Sequence, residues 1–96
     1  MFKCEFSARF VLPRIRVALA RELYSQGFSV TQIARLLETS PAAVSQYLSG
    51  KRGKDVPPQF HSDIVRLARL LAEGKDISKE LCDLCNRIRE SGLITE

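Results

Sequence analysis

Residues 28–53 read Phe28-Ser-Val-Thr-Gln-Ile-Ala-Arg-Leu-Leu-Glu-Thr-Ser-Pro-Ala-Ala-Val-Ser-Gln-Tyr-Leu-Ser-Gly-Lys-Arg-Gly53. Within this stretch Ile33, Ala34 and Leu37 recur at helical spacing and predict a short helix. Thr31 is the expected N-cap of that helix, because its hydroxyl can accept a backbone N–H. The small side chain of Ala34 suits two helices that cross at short range. This half of the stretch therefore predicts the first member of a tightly packed helix pair.

The second member of the pair is predicted over residues 41–49. Ser40 is a good N-cap, and Pro41 suits the first helical position because an N–H is not needed there. Val44, Tyr47 and Leu48 share one face of this helix and should pack inward. Together with the first helix and a turn between them, the pair over residues 31–49 has the pattern of a helix-turn-helix.

The outward face of the second helix carries short polar groups and a methyl group where a solvated surface usually carries Lys and Glu. Such a face fits deep into the major groove of DNA. The amide of Gln46 can pair with adenine through two hydrogen bonds, and the methyl of Ala42 can contact the methyl of thymine. We therefore expect the recognition helix to be 41–49, with these base-reading residues: Ala42, Ser45, Gln46 and Ser49.

Positive charge is concentrated around this motif. Residues 1–54 hold nine Lys or Arg and three Asp or Glu, whereas residues 55–96 hold six and eight, so the two parts carry +6 and −2. This uneven distribution is typical of a phosphate-binding face, although a solubilising surface is the alternative. The expected phosphate-binding residues are Thr31, Gln32, Ser40, Lys51, Arg52 and Lys54.

At this point the chain resembles the Cro/C1-type (XRE-like) helix-turn-helix transcriptional regulators, in which a segment like residues 43–52 forms the recognition helix and its exit. It is similar, more narrowly, to short archaeal predicted transcriptional regulators. Three segments carry that similarity: Cys4-Glu5, Val11-Leu12-Pro13-Arg14-Ile15-Arg16 and Cys82-Asp83-Leu84-Cys85. The resemblance implies a Cro/C1 repressor-like all-α domain that regulates transcription.

The turn between the two motif helices departs from that family. The family often has Gly where the backbone is left-handed, and an apolar residue beside it. Glu38 and Thr39 stand there instead. A residue other than Gly in that conformation costs about 1 kcal/mol, which the fold can tolerate.

The rest of the chain completes a single all-α domain over residues 1–96 with about five helices. Apolar stripes predict helices at 14–26, 59–73 and 77–91, and Gly27, Gly74 and Gly92 follow them. The last two helices are expected to supply core and dimer contacts. A homodimer is expected, because one recognition helix reads only a few base pairs. The predicted dimer surface on the last helix comprises Leu81, Leu84, Ile88, Leu93 and Ile94.

Three cysteines form the second motif. Cys82 and Cys85 are small buried hydrophobes in the plainest interpretation. They could instead bind zinc or an iron–sulfur cluster together with Cys4, with His61 or a second subunit as a further ligand. A reversible disulfide between Cys82 and Cys85 is the third alternative. With a metal site the protein would be a metal-responsive regulator, and with a reversible disulfide it would be a redox-responsive one.

Other classes of function are less consistent with the sequence. It has no Gly-rich phosphate loop and no Ser/His/Asp set, so no enzymatic activity is expected. It has no apolar run of about 18 residues and no signal-peptide core, so a cytoplasmic protein with reduced cysteines is expected. No cofactor or small-molecule substrate is evident. A protein-interaction adaptor that uses the same helix pair is the remaining alternative.

Overall fold

The computed structural model describes residues 12–49, 56 and 58–91. Over these residues the chain forms five α-helices, one short 3₁₀ helix and no strand. The α-helices are α1 (Leu12–Ser25), α2 (Val30–Leu36), α3 (Pro41–Ser49), α4 (His61–Ala72) and α5 (Ser78–Ser91), and the 3₁₀ helix spans Pro58–Phe60. The all-α prediction is confirmed, and each predicted helix agrees with an observed one to within a few residues.

Helix α1 lies at the centre of the domain and packs most extensively against α4 and α3. Its predicted stripe of Ile15, Leu19 and Leu23 is fully buried. The helix ends at Ser25, and the turn after it contains Gly27, whose φ of 104° lies in the left-handed region that favours glycine. The turn is closed by the N–H of Phe28, which donates to the carbonyl of Leu23 over 3.2 Å. This turn sends the chain directly into α2.

The N-cap of α2 is Ser29, so the assignment of this role to Thr31 was wrong. The hydroxyl of Ser29 accepts the N–H of Gln32 at 3.1 Å, and the Gln32 side-chain oxygen accepts the N–H of Ser29 at 2.9 Å. This reciprocal pair is a capping box, which satisfies two backbone donors at once. A cap at Thr31 would leave both donors without these partners.

Glu38 provides the left-handed residue of the turn between α2 and α3, with a φ of 57°. The turn closes when the N–H of Thr39 donates to the carbonyl of Ala34 over 2.9 Å. Helix α3 then begins as predicted: the hydroxyl of Ser40 accepts the N–H of Ala43 at 3.1 Å, and Pro41 is the first helical residue. Glu38 therefore adopts a left-handed conformation although it is not glycine.

A single core joins all five helices. Ala34 is buried where α2 packs against α3, as expected for a close helix crossing. Two residues of the predicted dimer surface belong to this core, since Leu84 and Ile88 are buried within the chain. That part of the prediction was wrong, because the stripe of α5 is used to close the domain itself. Leu81 is half-buried, and Leu93 and Ile94 lie outside the described residues.

Helix α5 follows a short connection after α4. Gly74, with a φ of 81°, ends the α4 turn, and the carboxylate of Asp76 accepts both the N–H and the hydroxyl of Ser78 at 2.9 and 2.7 Å. These two hydrogen bonds lower the pKa of Asp76 below its usual value. These hydrogen bonds therefore stabilise the start of α5.

Candidate DNA interface

The four predicted base-reading residues form one exposed stripe on α3. They occupy positions i, i+3, i+4 and i+7 of the helix, which places them on a common face. The opposite face holds Val44, which is fully buried, and the half-buried Tyr47 and Leu48, which pack against the core. The structure therefore separates the two faces of α3 as the sequence predicts, and all four candidates are exposed: Ala42, Ser45, Gln46 and Ser49.

The polar groups of this stripe differ in how they are engaged. The hydroxyl of Ser49 donates to the carbonyl of Gln46 within the same helix over 2.8 Å. Its proton is thus committed to the backbone, and its oxygen can still accept a hydrogen bond. The side-chain amide of Gln46 carries both a donor and an acceptor at the centre of the stripe. Gln46 therefore has the chemistry for a bidentate contact with a base edge.

Three of the predicted phosphate-binding residues lie at the starts of α2 and α3. Thr31, Gln32 and Ser40 are all exposed. The oxygen of the Gln32 amide is held by Ser29, which leaves its NH₂ group to donate outward. Similarly, Ser40 uses its oxygen as a cap and can donate its proton to a phosphate. The three basic candidates, Lys51, Arg52 and Lys54, lie outside the described residues.

Ser29 is the residue that the sequence interpretation missed at this interface. Its role was detectable, because Ser29 and Gln32 have the Ser-x-x-Gln spacing of a capping box. The cap fixes the orientation of Gln32, a predicted phosphate ligand. The geometry of the candidate interface therefore depends in part on a residue outside the predicted set.

Of the three cysteines in the predicted ligand set, Cys82 and Cys85 lie among the described residues. Cys82 takes part in a disulfide bond, whereas Cys85 has a free thiol, so these two do not pair with each other. Burial raises the pKa of the Cys85 thiol to about 11. Cys4 lies outside the described residues.

The described part of the chain brings together no group of three His, Cys, Asp or Glu side chains that could hold a metal ion. His61, the further ligand considered from the sequence, is exposed at the start of α4. None of the helices in the described ranges combines the length and apolar character that a membrane crossing requires. The exposed α3 stripe is thus the candidate site that the geometry supports best.

Comparison with known proteins identifies a family that the chain matches. No curated protein and no solved structure matches the chain. Residues 16–70 match the sequence model of the Terminase_5 family, whose description is "Putative ATPase subunit of terminase (gpP-like)". The matched segment covers more than half of the chain and runs from α1 into α4, so it includes the whole helix-turn-helix. The chain therefore belongs to this terminase family.

Proposed function

We propose that this chain is a sequence-specific double-stranded DNA-binding protein that places α3 in the major groove. The observation that carries the proposal is the stripe of four small or polar side chains on α3, exposed on a helix whose opposite face is anchored in the core. A rigid helix positions base-reading side chains more accurately than a loop does. The capped turn that precedes α3 supports the same function.

In this proposal Gln46 supplies the main base contact, and the basic residues after α3 supply affinity. A bidentate side-chain contact contributes about 1–3 kcal/mol of discrimination between bases. Cations that neutralise phosphates contribute affinity without sequence preference, and their contribution falls as salt rises. The two classes of residue should therefore be separable by experiment.

The biological setting has two candidates. Membership of a terminase family favours recognition of DNA during its packaging. The resemblance to Cro/C1-type regulators favours transcriptional control, as expected from the sequence. Both settings require recognition of a DNA site by the helix-turn-helix, and we infer that the chain supplies this recognition and not the ATPase reaction. An ATP-hydrolysis assay with and without DNA should accordingly give no turnover above background.

Selection of bound duplexes from a random pool tests the DNA-binding proposal. We expect a motif, and for a homodimer two half-sites about 34 Å apart, which is one turn of DNA. Gln46→Ala should relax the preference at one position of each half-site. Gln59→Ala is the matched control, because Gln59 is exposed in the 3₁₀ helix and lies outside α3.

A second pair of variants tests the phosphate contacts. Lys51→Ala with Arg52→Ala should weaken binding to all duplexes and reduce the slope of log affinity against log salt by about 2 for each bound copy of the chain. Arg69→Ala with Lys79→Ala removes the same charge from exposed positions of α4 and α5 and should leave the slope nearly unchanged. If selection returned no motif from a folded protein, the adaptor alternative would replace the DNA-binding proposal.

A further inference from the structure

A groove of about 610 Å³ lies on the domain apart from the exposed face of α3. It runs between α1, the end of α2 and the connection from α4 to α5, and no residue of α3 lines it. The buried Leu19 lies at the groove, and four further leucines contribute to its apolar surface. Each of them is half-buried and packs against the core while leaving part of its side chain in the groove: Leu36, Leu37, Leu71 and Leu81.

The rim of the groove carries charges, of which some are already paired. Lys75 Nζ lies 3.5 Å from a carboxylate oxygen of Glu73. The carboxylate of Asp76 accepts the two hydrogen bonds from Ser78. Both groups are therefore engaged with neighbours in the α4–α5 connection.

Two arginines on the rim differ from these groups. Arg16 of α1 and Arg35 of α2 are exposed, and their side chains make no ion pair with any residue that the structure describes. Glu38 and Asp76 are acidic rim residues that likewise have no ion pair within the described ranges. The rim therefore presents two cations and two anions without ion pairs, and a partner could complement the two arginines with acidic side chains.

We propose that this groove binds an amphipathic helix of a partner protein, with apolar side chains on the leucines and acidic side chains opposite Arg16 and Arg35. Amphipathic helices bind apolar grooves through anchors spaced at i, i+3, i+4 and i+7. Complementary rim charges orient the partner and raise the association rate. The leucines favour a protein segment over DNA, because phosphates gain nothing from an apolar surface. DNA on α3 and a helix in this groove can bind at the same time.

The test uses a displayed library of helical peptides of about 14 residues, or roughly four turns. Leucines are fixed at the anchor positions, and the flanking positions are randomised. We expect enrichment of peptides with Asp and Glu at flanking positions. The most enriched peptide, labelled with a fluorophore, is then titrated with the intact chain and its variants by anisotropy.

Charge variants show whether the peptide occupies this groove. Arg16→Glu with Arg35→Glu should weaken its binding about tenfold, whereas Arg69→Glu with Lys79→Glu, an equal charge change outside the groove, should have little effect. Glu38→Gln should strengthen binding, because it removes one of the two anions on the rim that have no ion pair. All of these side chains are exposed, and circular dichroism checks that each variant is folded.

Three outcomes would overturn the proposal. The first is no enrichment of acidic peptides, or equal binding to the rim variant and its control. The second is a larger loss of duplex affinity in Arg16→Glu with Arg35→Glu than in Arg69→Glu with Lys79→Glu. That result would mean that Arg16 and Arg35 bind DNA phosphates. The third is a dimer of the chain in sedimentation that this rim variant dissociates, which would assign the groove to a second copy. None of these results depends on whether Gln46 reads a base.

Discussion

Ser29 and Gln32 cap each other at the start of α2, each accepting a backbone N–H from the other at 3.1 and 2.9 Å. Helix α2 has only seven residues, so its own backbone hydrogen bonds are few and its ends matter. The cap also fixes the direction in which the chain leaves α1. The placement of the helix-turn-helix therefore depends on this pair.

Removal of the cap should destabilise the domain. Ser29→Ala should lower the free energy of unfolding by about 1 kcal/mol, because a backbone donor loses its partner. Thr31→Ala is the matched control and should cost less than about 0.5 kcal/mol, since Thr31 is exposed and is not the cap. Urea denaturation followed by circular dichroism measures both values. A larger loss for Thr31→Ala than for Ser29→Ala would restore Thr31 as the cap.

The left-handed conformation of Glu38 makes a second prediction. Glu38→Val should destabilise the domain by about 1–2 kcal/mol, because a β-branched residue is strongly disfavoured at a φ of 57°. Glu38→Gly should be at least as stable as the parent chain, since glycine adopts this conformation without steric cost. Glu38→Gln removes the charge but keeps a similar backbone preference, so its free energy of unfolding should remain near that of the parent chain. Equal stability of the Val and Gly variants would contradict the turn geometry.

A third prediction distinguishes two members of the α3 stripe. The Ser49 hydroxyl donates to the carbonyl of Gln46, so Ser49→Ala removes a group whose proton is already committed to the helix. We expect Ser49→Ala to reduce affinity for the selected duplex less than Gln46→Ala does. The fold-loss of affinity in Gln46→Ala should be about ten or more times that in Ser49→Ala. Anisotropy titration with one labelled duplex measures the difference. Equal losses would place both side chains on base edges.

Arg87 joins α5 to α4 and leads to a fourth prediction. One Nη atom of Arg87 donates to Asp63 of α4 over 3.0 Å, and its Nε donates to Asp83 over 3.1 Å. Both hydrogen bonds raise the pKa of Arg87, and the one to Asp63 has the larger effect. Because Arg87 is exposed, a double-mutant cycle between Arg87→Ala and Asp63→Ala should give a coupling energy of only about 0.5–1 kcal/mol. The coupling should fall in high salt; a value unchanged at 1 M salt would indicate a buried interaction.

The helices could be predicted from the sequence because their information is local. The stripes of α1 and α4, the Ser40–Pro41 start of α3 and the Gly27 and Gly74 ends all follow from spacing and backbone preference. The start of α2 was misplaced by two residues because both Ser29 and Thr31 are acceptable caps. The spacing to Gln32 decides between them.

It was harder to predict what the apolar face of each helix packs against, because this depends on tertiary packing. The stripe of α5 has the same periodicity whether it closes the core or joins a second copy, and the structure shows that Leu84 and Ile88 close the core. The groove beside Arg16 and Arg35 could not be predicted at all. These residues are 19 positions apart, and only the packing of α1 against α2 brings them to one rim.

Cys85 makes the last prediction, which concerns pH. Its pKa rises from 9.0 to about 11 because burial disfavours the thiolate. In the unfolded chain the thiol loses its proton near pH 9, whereas in the folded chain it keeps the proton until about pH 11. The unfolded state therefore binds fewer protons between these values, and the free energy of unfolding falls as pH rises through this window. Below pH 9 the stabilisation is fully present.

The expected slope is about 1.4 kcal/mol per pH unit between pH 9 and pH 11. Lys and Tyr side chains also titrate there, so the measurement is the difference between the parent chain and Cys85→Ala in urea denaturation at pH 8 and pH 10.5. Cys85→Ala should be less stable at pH 8, because it leaves a small cavity. That deficit should shrink at pH 10.5, since the variant has no thiol to ionise. A deficit that is constant with pH would mean that Cys85 is accessible to solvent, and rapid alkylation of the native chain by iodoacetamide at pH 8 would agree with that result.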